Sequence, residues 1–177
     1  QIKELINAGF KELGFNTFQQ LQEVKKDLPN DIKVHFIGHL QRNKVKKLLQ
    51  IGVDLIQSVD SYKLAEKINA VSEELGVKQN ILLQVKTDPE KEYGFLISEL
   101  EEVVKRISGL KNIQLKGLMT IPAVNNSREQ FVLMKKYFDN SKNFDCLSMG
   151  MSNDYQIAIE EGANMVRIGR KVFEDDN

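Results

Sequence analysis

Short apolar segments of strand character alternate along the whole chain with longer segments of helical periodicity, and this alternation limits the possible folds more than any other feature. We predict strands near residues 13–16, 34–38, 53–58, 80–86, 114–121, 144–149 and 165–168. We predict helices near residues 1–9, 17–28, 43–51, 61–75, 97–107, 128–140 and 154–161. Such alternation requires right-handed crossovers and a parallel sheet covered by helices, either closed as a barrel or open and doubly wound. The regular repeat favours the barrel.

Residues at the helix ends support these assignments. Ser61 is predicted to cap the fourth helix, and Gly76 is predicted to end it. Ser152 or Asn153 is predicted to cap the last helix. These capping residues therefore agree with the helix positions that the periodicity predicts.

The number of strands departs from a complete barrel of this type. A closed (β/α)8 barrel has eight strand–helix units and about 250 residues, whereas this chain has 177 residues, seven predicted strands and a helix at its start. We therefore predict a TIM-type α/β barrel that lacks its first strand. The strands near Phe15 and Val166 would then be uncovered edges, which favour pairing with another chain. We expect one domain over residues 1–177, N-terminally incomplete, as a monomer or as a dimer through these edges.

Composition limits the partners of the chain. The 25 basic and 25 acidic residues balance, so no net charge attracts the protein to nucleic acid or to an anionic membrane. Cys146 is the single cysteine, so no internal disulfide can form, which is typical of a reducing compartment. No apolar segment approaches the roughly 20 residues that span a bilayer. We predict a cytoplasmic protein without nucleic-acid or membrane partners.

Two glycine-containing segments follow the last two predicted strands. The first is Ser-Met-Gly-Met-Ser-Asn-Asp at 148–154, and the second is Val-Arg-Ile-Gly at 166–169. A glycine after a strand lets backbone amides approach an anion, and the loops after strands seven and eight of such barrels often bind phosphate. A single loop glycine would be uninformative, but two at successive strand ends predict a site for a phosphorylated ligand.

Two further segments, with the C-terminal pair, carry a resemblance to a known family. They are His-Phe-Ile-Gly-His-Leu-Gln-Arg-Asn-Lys at 35–44 and Gly-Leu-Met-Thr-Ile-Pro-Ala at 117–123. Together the four segments closely resemble the YggS-like pyridoxal phosphate homeostasis proteins, over nearly the whole chain. The resemblance implies a barrel related to the N-terminal domain of alanine racemase, with pyridoxal 5′-phosphate (PLP) bound at the C-terminal mouth of the strands. It implies a cofactor carrier or regulator in PLP (vitamin B6) homeostasis without robust catalysis.

Two other functions stay open. The shared barrel allows a racemase-like PLP enzyme that acts on amino acids, although such enzymes need a second domain and a second catalytic base. The glycine turns also allow a barrel that binds another phosphorylated ligand.

The resemblance assigns site residues near the C-terminal segments. Arg167 would face the pyridine nitrogen of PLP, and its permanently protonated guanidinium would keep that nitrogen unprotonated and weaken the electron sink. Ser148 and the amides around Met149, Gly169 and Arg170 would hold the phosphate. No catalytic residue is implied.

The same resemblance assigns neighbours of the cofactor ring. His39 would lie at the mouth, and Met149 and Met151 would lie beside the ring. Asn16 matches an asparagine that follows an acidic residue in the family pattern, but Phe15 replaces that acid here.

The family's Schiff-base lysine stands at the end of its first strand, which no segment of this chain matches. We therefore expect that the chain starts after that strand and that it holds PLP noncovalently, through phosphate and ring. Lys86 and Lys116 are the remaining lysines near strand ends, and neither is a strong substitute.

Other reactive or charged residues have plainer interpretations. His35 and His39 would lie roughly 13 Å apart on a strand, too far for a shared metal ion, so no metal site is predicted. Cys146 is interpreted as a buried structural thiol. The basic residues near the third helix, namely Arg42, Lys44, Lys46 and Lys47, are interpreted as its solvated face.

Overall fold

A parallel sheet with helices on its outer side forms the protein. The computed structural model describes residues 2–88, 90–123, 126–141 and 143–172, except for the side chain of Arg170. The strands are β1 (Glu12–Phe15), β2 (Lys33–Phe36), β3 (Leu55–Val59), β4 (Gln79–Lys86), β5 (Phe95–Leu96), β6 (Ile113–Thr120), β7 (Cys146–Met151) and β8 (Met165–Arg167). Their order is β1-β2-β3-β4-β6-β7-β8, and β5 pairs with β4 beside this path. The seven strands of the path are the seven that the sequence predicts, in a nearly closed barrel.

The helices connect consecutive strands, as the alternation predicts. They are α1 (Ile2–Asn7), α2 (Phe18–Val24), α3 (Val45–Ile51), α4 (Tyr62–Leu75), α5 (Leu100–Ser108), α6 (Ser127–Asp139) and α7 (Tyr155–Glu160). Short 3-10 helices extend three of the predicted helices, at Lys25–Asp27, Arg42–Lys44 and Ile97–Glu99. A fourth 3-10 helix, Arg170–Val172, follows β8. In the described part of the chain, no helix has the length and apolar character required to cross a bilayer.

The capping predictions hold only in part. Gly76 ends α4 in the left-handed conformation, with φ 65°. Ser61 occupies the N-cap position of α4, but its side chain makes no capping hydrogen bond. The N-cap of α7 is Asp154 and not Ser152 or Asn153, because the turn after β7 continues to Asp154 before the helix begins.

Two apolar clusters lie on the two faces of the sheet. The larger cluster contains residues of strands and helices alike, such as Phe36, Leu64 and Met149, and it fills the space between barrel and helices. The smaller cluster contains strand residues and the residue after β6; its buried members are Leu55, Leu82, Met119 and Cys146. Because alternate residues of a strand point to opposite faces, the smaller cluster marks the barrel interior.

Strands β1 and β8 stand at the two ends of the sheet order. In the described chain β1 pairs with β2 alone, and β8 pairs with β7 alone. On β1, Leu13 and Phe15 are buried while Glu12 and Gly14 are exposed. The exposed pair lies on the inner face of the barrel, so the interior is accessible beside β1.

Candidate active-site mouth

The C-terminal ends of the parallel strands meet at one end of the barrel, where four of them line a cavity. This mouth pocket has a volume of about 240 Å³. Its lining comes from the ends of β1, β2, β4 and β6 and from the loop between β4 and β5, and includes Asn16, Ile37, His39, Lys86, Tyr93 and Ile121. The topology therefore brings the predicted residues Asn16 and His39 to one side of the mouth.

His39 is held on this side by an aromatic contact and a polar contact. Its ring stacks on Tyr93, with 3.9 Å between the ring centroids and 25° between the planes. Its Nδ1 lies 3.1 Å from Oδ2 of Asp60, which follows β3. The imidazole and its phenol partner are both exposed, so a flat ligand in the pocket could contact them.

Gly38 allows the ends of β1 and β2 to come together. A Cβ atom at this position would lie 1.8 Å from the backbone oxygen of Asn16. No side chain fits into that space, so the segment His35–Lys44 requires glycine here for a geometric reason. Phe15, which replaces the acid of the family pattern, is buried in the outer core and does not contribute to the pocket.

Gly150 shapes the end of β7, on a second side of the mouth. Its φ is 91°, which side chains rarely adopt, and a Cβ atom would lie 2.5 Å from Cβ of Ala158. The pairing register between β7 and β8 shifts between Ser148 and Met151. The backbone amide of Met151 donates to Oδ1 of Asp154 over 2.6 Å. The glycine therefore redirects the chain from β7 into α7.

Gly169 follows β8 on the same side. Apart from its chain neighbours, no atom of the described residues lies within 4 Å of the place where its Cβ would be, so its backbone borders open space among them. Its amide is 3.5 Å from Oγ of Ser152, a residue of the turn after β7. The two glycine-containing segments thus lie next to each other, as the sequence predicts.

Arg167 is half-buried on the inner face of β8. Its Nη1 donates to Oγ of Ser148 over 2.7 Å, and its Nη2 donates to the backbone oxygen of Thr120 over 2.8 Å. Burial lowers the pKa of Arg167 to about 10, while Asp154 opposes this change. The guanidinium therefore stays charged at neutral pH and joins the ends of β6, β7 and β8.

Ser148 and Gln57 continue these contacts into the interior. The hydroxyl of Ser148 is fully buried and donates to Oε1 of Gln57 over 2.7 Å. The Nε2 atom of Gln57 is 3.1 Å from Sδ of Met165 and 3.0 Å from Nδ1 of His35. We call Arg167, Ser148, Gln57 and His35 the interior hydrogen-bond chain. Protein partners occupy the Ser148 hydroxyl, and its contact with a phosphate stays a prediction.

His35 ends this chain near the edge strand β1. Its ring is buried, and burial lowers its pKa, while nearby Glu12 and Asp54 oppose this effect. Its Nε2 lies 3.9 Å from Oε2 of Glu12. The neutral imidazole is therefore the favoured form, as expected for a core histidine.

The two predicted methionines differ in burial. The side chain of Met149 is buried in the outer core between barrel and helices, so only its backbone can contribute at the mouth. Met151 is 37% exposed at the end of β7. Arg170 begins the 3-10 helix after β8, and its side chain lies outside the described part of the structure.

Other residues singled out in the sequence have clear positions. Lys86 lines the mouth pocket. Lys116 is paired with Asp145 at 2.9 Å. Cys146 is a free, buried thiol whose pKa is raised to about 12, mainly by burial. It contacts Met165 in the barrel interior, which agrees with a structural role.

Sequence reasoning missed three contributors. Gln57 stands in a strand whose residues are all buried, and a lone amide in such a strand is a usable signal for an internal polar contact. Thr120 donates to the backbone oxygen of Val85 and contacts the hydroxyl of Thr87. Tyr93 comes from a loop that no periodicity describes, so its stacking on His39 has no sequence signal.

Comparison with known proteins agrees with this geometry. Residues 1–175 match the family model of the alanine racemase N-terminal domain. A relative from Helicobacter pylori, named pyridoxal phosphate homeostasis protein, is 39% identical over 181 residues, which cover 98% of this chain and 82% of that protein. PipY of Synechococcus elongatus, solved with PLP bound, is 32% identical with a TM-score of 0.87, over 98% of this chain and 86% of that one.

A more distant neighbour shares the fold alone. Alanine racemase from Clostridium difficile is 16% identical with a TM-score of 0.79, and the match covers 98% of this chain but 48% of the racemase. The motifs that carry the resemblance build the mouth, and the identity to the first two proteins confirms this resemblance. The chain therefore belongs to the pyridoxal phosphate homeostasis protein family.

Proposed function

We propose that this protein binds PLP at the barrel mouth and acts in PLP homeostasis without robust catalysis. The observation that carries the proposal is the charged guanidinium of Arg167, fixed at the ends of β6, β7 and β8 beside two adjoining glycine turns. The relatives named for PLP homeostasis and the PLP-bound PipY support the identity of the ligand.

The residues present fit PLP. The open space at Gly169 leaves room for a phosphate to approach the backbone, and the adjoining turn contributes the hydroxyl of Ser152. The half-buried guanidinium can donate to a ring nitrogen. Exposed His39 and Tyr93, with Asn16, offer flat and polar contacts on the other side. We assign the phosphate to the amides around Met149, Gly169 and Arg170 and the Ser148 turn.

The chemistry of Arg167 favours binding over catalysis. PLP supplies an electron sink, which is strongest when its ring nitrogen is protonated. A guanidinium is a donor and cannot accept a proton at neutral pH. Arg167, whose pKa remains at about 10, would therefore hold the nitrogen unprotonated. The residue binds and orients the ring, and it leaves carbanion chemistry poorly supported.

A PLP titration of the purified chain tests the proposal. Saturable binding followed by absorbance is expected for the wild type. Arg167→Met should weaken binding by about tenfold or more, since a hydrogen bond to a charged group contributes about 1.5–3 kcal/mol. Arg167→Lys should give an intermediate loss, because it keeps the charge but presents one nitrogen. Arg42→Met, which removes an exposed arginine, is the matched control.

Absence of saturable binding to the wild type would refute the proposal. Equal losses for Arg167→Met and Arg42→Met would show that the guanidinium acts only through general charge. The thermal midpoint of each variant without PLP separates a binding defect from unfolding.

We also propose that the chain holds PLP noncovalently. Borohydride reduction followed by intact mass measurement should then find no adduct. Lys86, which lines the mouth pocket, is the lysine to monitor by peptide mapping. A reduced adduct on Lys86 would contradict this part of the proposal.

Two competing activities have direct tests. Turnover of D- or L-amino acids above the level of an Arg167 variant would support a racemase-like enzyme, whose present support is the shared fold. Displacement of PLP by sugar phosphates at comparable concentrations would instead favour a broader phosphate-binding role.

We further propose a cytoplasmic location without nucleic-acid partners, which the balanced charge and the free buried Cys146 support. The two edge strands support either a monomer or a dimer paired through them. Sedimentation over a range of concentrations distinguishes these two states.

A further inference from the structure

The interior hydrogen-bond chain has a fixed direction, which starts at Arg167. A guanidinium can donate hydrogen bonds but cannot accept them. Oγ of Ser148, 2.7 Å from Nη1, must therefore accept. The single proton of this hydroxyl then points to its other partner, Oε1 of Gln57, also at 2.7 Å. The charge on Arg167 thus determines which way the Ser148 hydroxyl faces.

The orientation of the Gln57 amide follows from two independent contacts. Its oxygen must face the Ser148 proton, so its nitrogen faces inward. There the nitrogen meets Sδ of Met165 at 3.1 Å, and a thioether can only accept. The same nitrogen meets Nδ1 of His35 at 3.0 Å, which must therefore carry no proton. The contacts of the amide oxygen and of the amide nitrogen thus require the same orientation of Gln57. His35 is then the neutral tautomer with its proton on Nε2.

Gln57 itself has no access to a ligand. The residue is 1% exposed and lies on β3, while Arg167 lies on β8. Its amide is the only described partner that accepts the Ser148 proton. Without that acceptor, the hydroxyl proton would have no partner among the described residues. The hydroxyl would then lose the single orientation in which it accepts from Arg167.

We propose that Gln57 is a positioning residue for Arg167, which it holds in place through the Ser148 hydroxyl. The inference rests on the proposed function, because Arg167 is taken as the residue that meets the PLP ring. Gln57 accordingly affects PLP binding from inside the barrel without contacting the cofactor.

Two substitutions of Gln57 test this role in opposite ways. Gln57→Met removes the amide contacts to Ser148, His35 and Met165 at similar volume. We expect PLP affinity to fall by about fivefold, the loss typical of a hydrogen bond between neutral groups. Gln57→Glu keeps an acceptor for Ser148 but replaces the donor to His35 with a second acceptor. We expect PLP affinity within about threefold of the wild type, with the His35 proton moved to Nδ1.

A matched control separates positioning from general destabilisation. Gln79 is another buried glutamine, and its amide donates to the backbone oxygens of Val53 and Asn80, away from the interior hydrogen-bond chain. Gln79→Met should lower the urea midpoint without changing the PLP dissociation constant. If Gln57→Met and Gln79→Met weakened PLP binding equally, the proposed positioning role would be wrong.

Nuclear magnetic resonance of the ligand-free chain supplies a readout that does not depend on PLP. The 15N shifts of the His35 imidazole should show the Nε2-protonated tautomer in the wild type and the Nδ1-protonated form in Gln57→Glu. The Arg167 guanidinium should give separate Nη signals in the wild type and averaged signals in Gln57→Met. In that variant its contact with Ser148 is weakened, and the contact with the Thr120 oxygen alone restricts its rotation less.

Unchanged guanidinium signals in Gln57→Met would overturn the proposal. If the wild type bound no PLP but its Nη signals collapsed in Gln57→Met, the proposed function would fail while the positioning of Arg167 by Gln57 would stand. The two failures are therefore distinguishable.

Discussion

The two sides of the barrel mouth are built by different means. The side at the ends of β7 and β8 depends on backbone conformation and on a half-buried guanidinium. Gly150 has a left-handed conformation there, and two hydrogen bonds hold Arg167. The side at the ends of β1 and β2 depends on exposed side chains, where His39 stacks on Tyr93. The first arrangement has little freedom to change, whereas the second can move at small cost.

This difference separates the tasks of the two sides. A phosphate needs a fixed set of amides and charges, which a tightly constrained turn provides. The ring of a ligand that binds and dissociates needs neighbouring side chains that can move. The constrained side is therefore suited to hold the ligand, and the exposed side is suited to cover it.

The largest effect is expected from a methyl group at the constrained turn. Gly150→Ala places Cβ 2.5 Å from Cβ of Ala158 at φ 91°. Strain and overpacking together should lower the free energy of unfolding by about 2–5 kcal/mol, measured by urea denaturation. Gly169→Ala, where the space is open, should change it by less than about 0.5 kcal/mol. Similar stabilities for both variants would show that the backbone at Gly150 is not tightly constrained.

The next effect concerns the hydroxyl inside the constrained side. Ser148→Ala leaves Oε1 of Gln57 and one N–H of Arg167 without their partner, so unfolding should become easier by about 1–3 kcal/mol. Ser72→Ala is the control, because the buried hydroxyl of Ser72 has no hydrogen-bond partner among the described residues. Calorimetry should show that this control is neutral or stabilising. A neutral Ser148→Ala would mean that the interior contacts contribute nothing.

A smaller effect follows from the titration of His35. Burial lowers its pKa below 6.5 in the folded protein, although Glu12 and Asp54 act in the other direction and Lys33 adds to the decrease. The unfolded chain therefore binds the proton first as pH falls through 6.5, and stability decreases until the folded pKa is reached. The slope in that window is at most about 1.4 kcal/mol per pH unit.

Urea midpoints of the wild type and His35→Gln from about pH 5 to about pH 7.5 measure this dependence. The variant should show a flatter curve, and His39, present in both proteins, cancels in the comparison. If the urea midpoints of the two proteins changed with pH in parallel, burial would not disfavour the protonated form of His35.

The smallest effect on stability is expected on the exposed side. Tyr93→Ala removes the stacking on His39 and should reduce the free energy of unfolding by less than about 1 kcal/mol. PLP should nevertheless dissociate faster in stopped-flow measurements, because the ring loses a cover. Tyr93→Phe preserves the ring and should behave as the wild type. A large loss of stability in Tyr93→Ala would place this side among the rigid parts.

The sequence allowed the fold and the constrained side to be predicted, because both depend on local signals. Strand and helix periodicity predicted the seven strands of the sheet path, and Gly150 and Gly169 indicated turns at two strand ends. The two-residue strand β5 escaped detection, since it is too short to show alternation. Ser61 occupies a cap position without its capping hydrogen bond, which propensity alone does not reveal.

The interior hydrogen-bond chain could not be predicted, since its members are far apart in sequence. Gln57 and Ser148 are separated by 91 positions, and only the closure of the sheet brings their strands to face each other across the interior. The same holds for Tyr93, whose position depends on the path of a loop. The predicted roles of Asn16 and His39 toward a ligand stay predictions, although the structure places both at the mouth.

Because Tyr93 stacks on His39 at the mouth, the intrinsic fluorescence of the protein can report on ligand binding. The chain has four tyrosines and no tryptophan, so its intrinsic emission is that of tyrosine alone, and one of these chromophores stands at the entrance of the cavity. A ligand that absorbs where tyrosine emits will quench Tyr93 when it occupies the mouth pocket. The emission of an unlabelled sample can thus follow arrival and departure in real time, and Tyr93→Phe provides the blank.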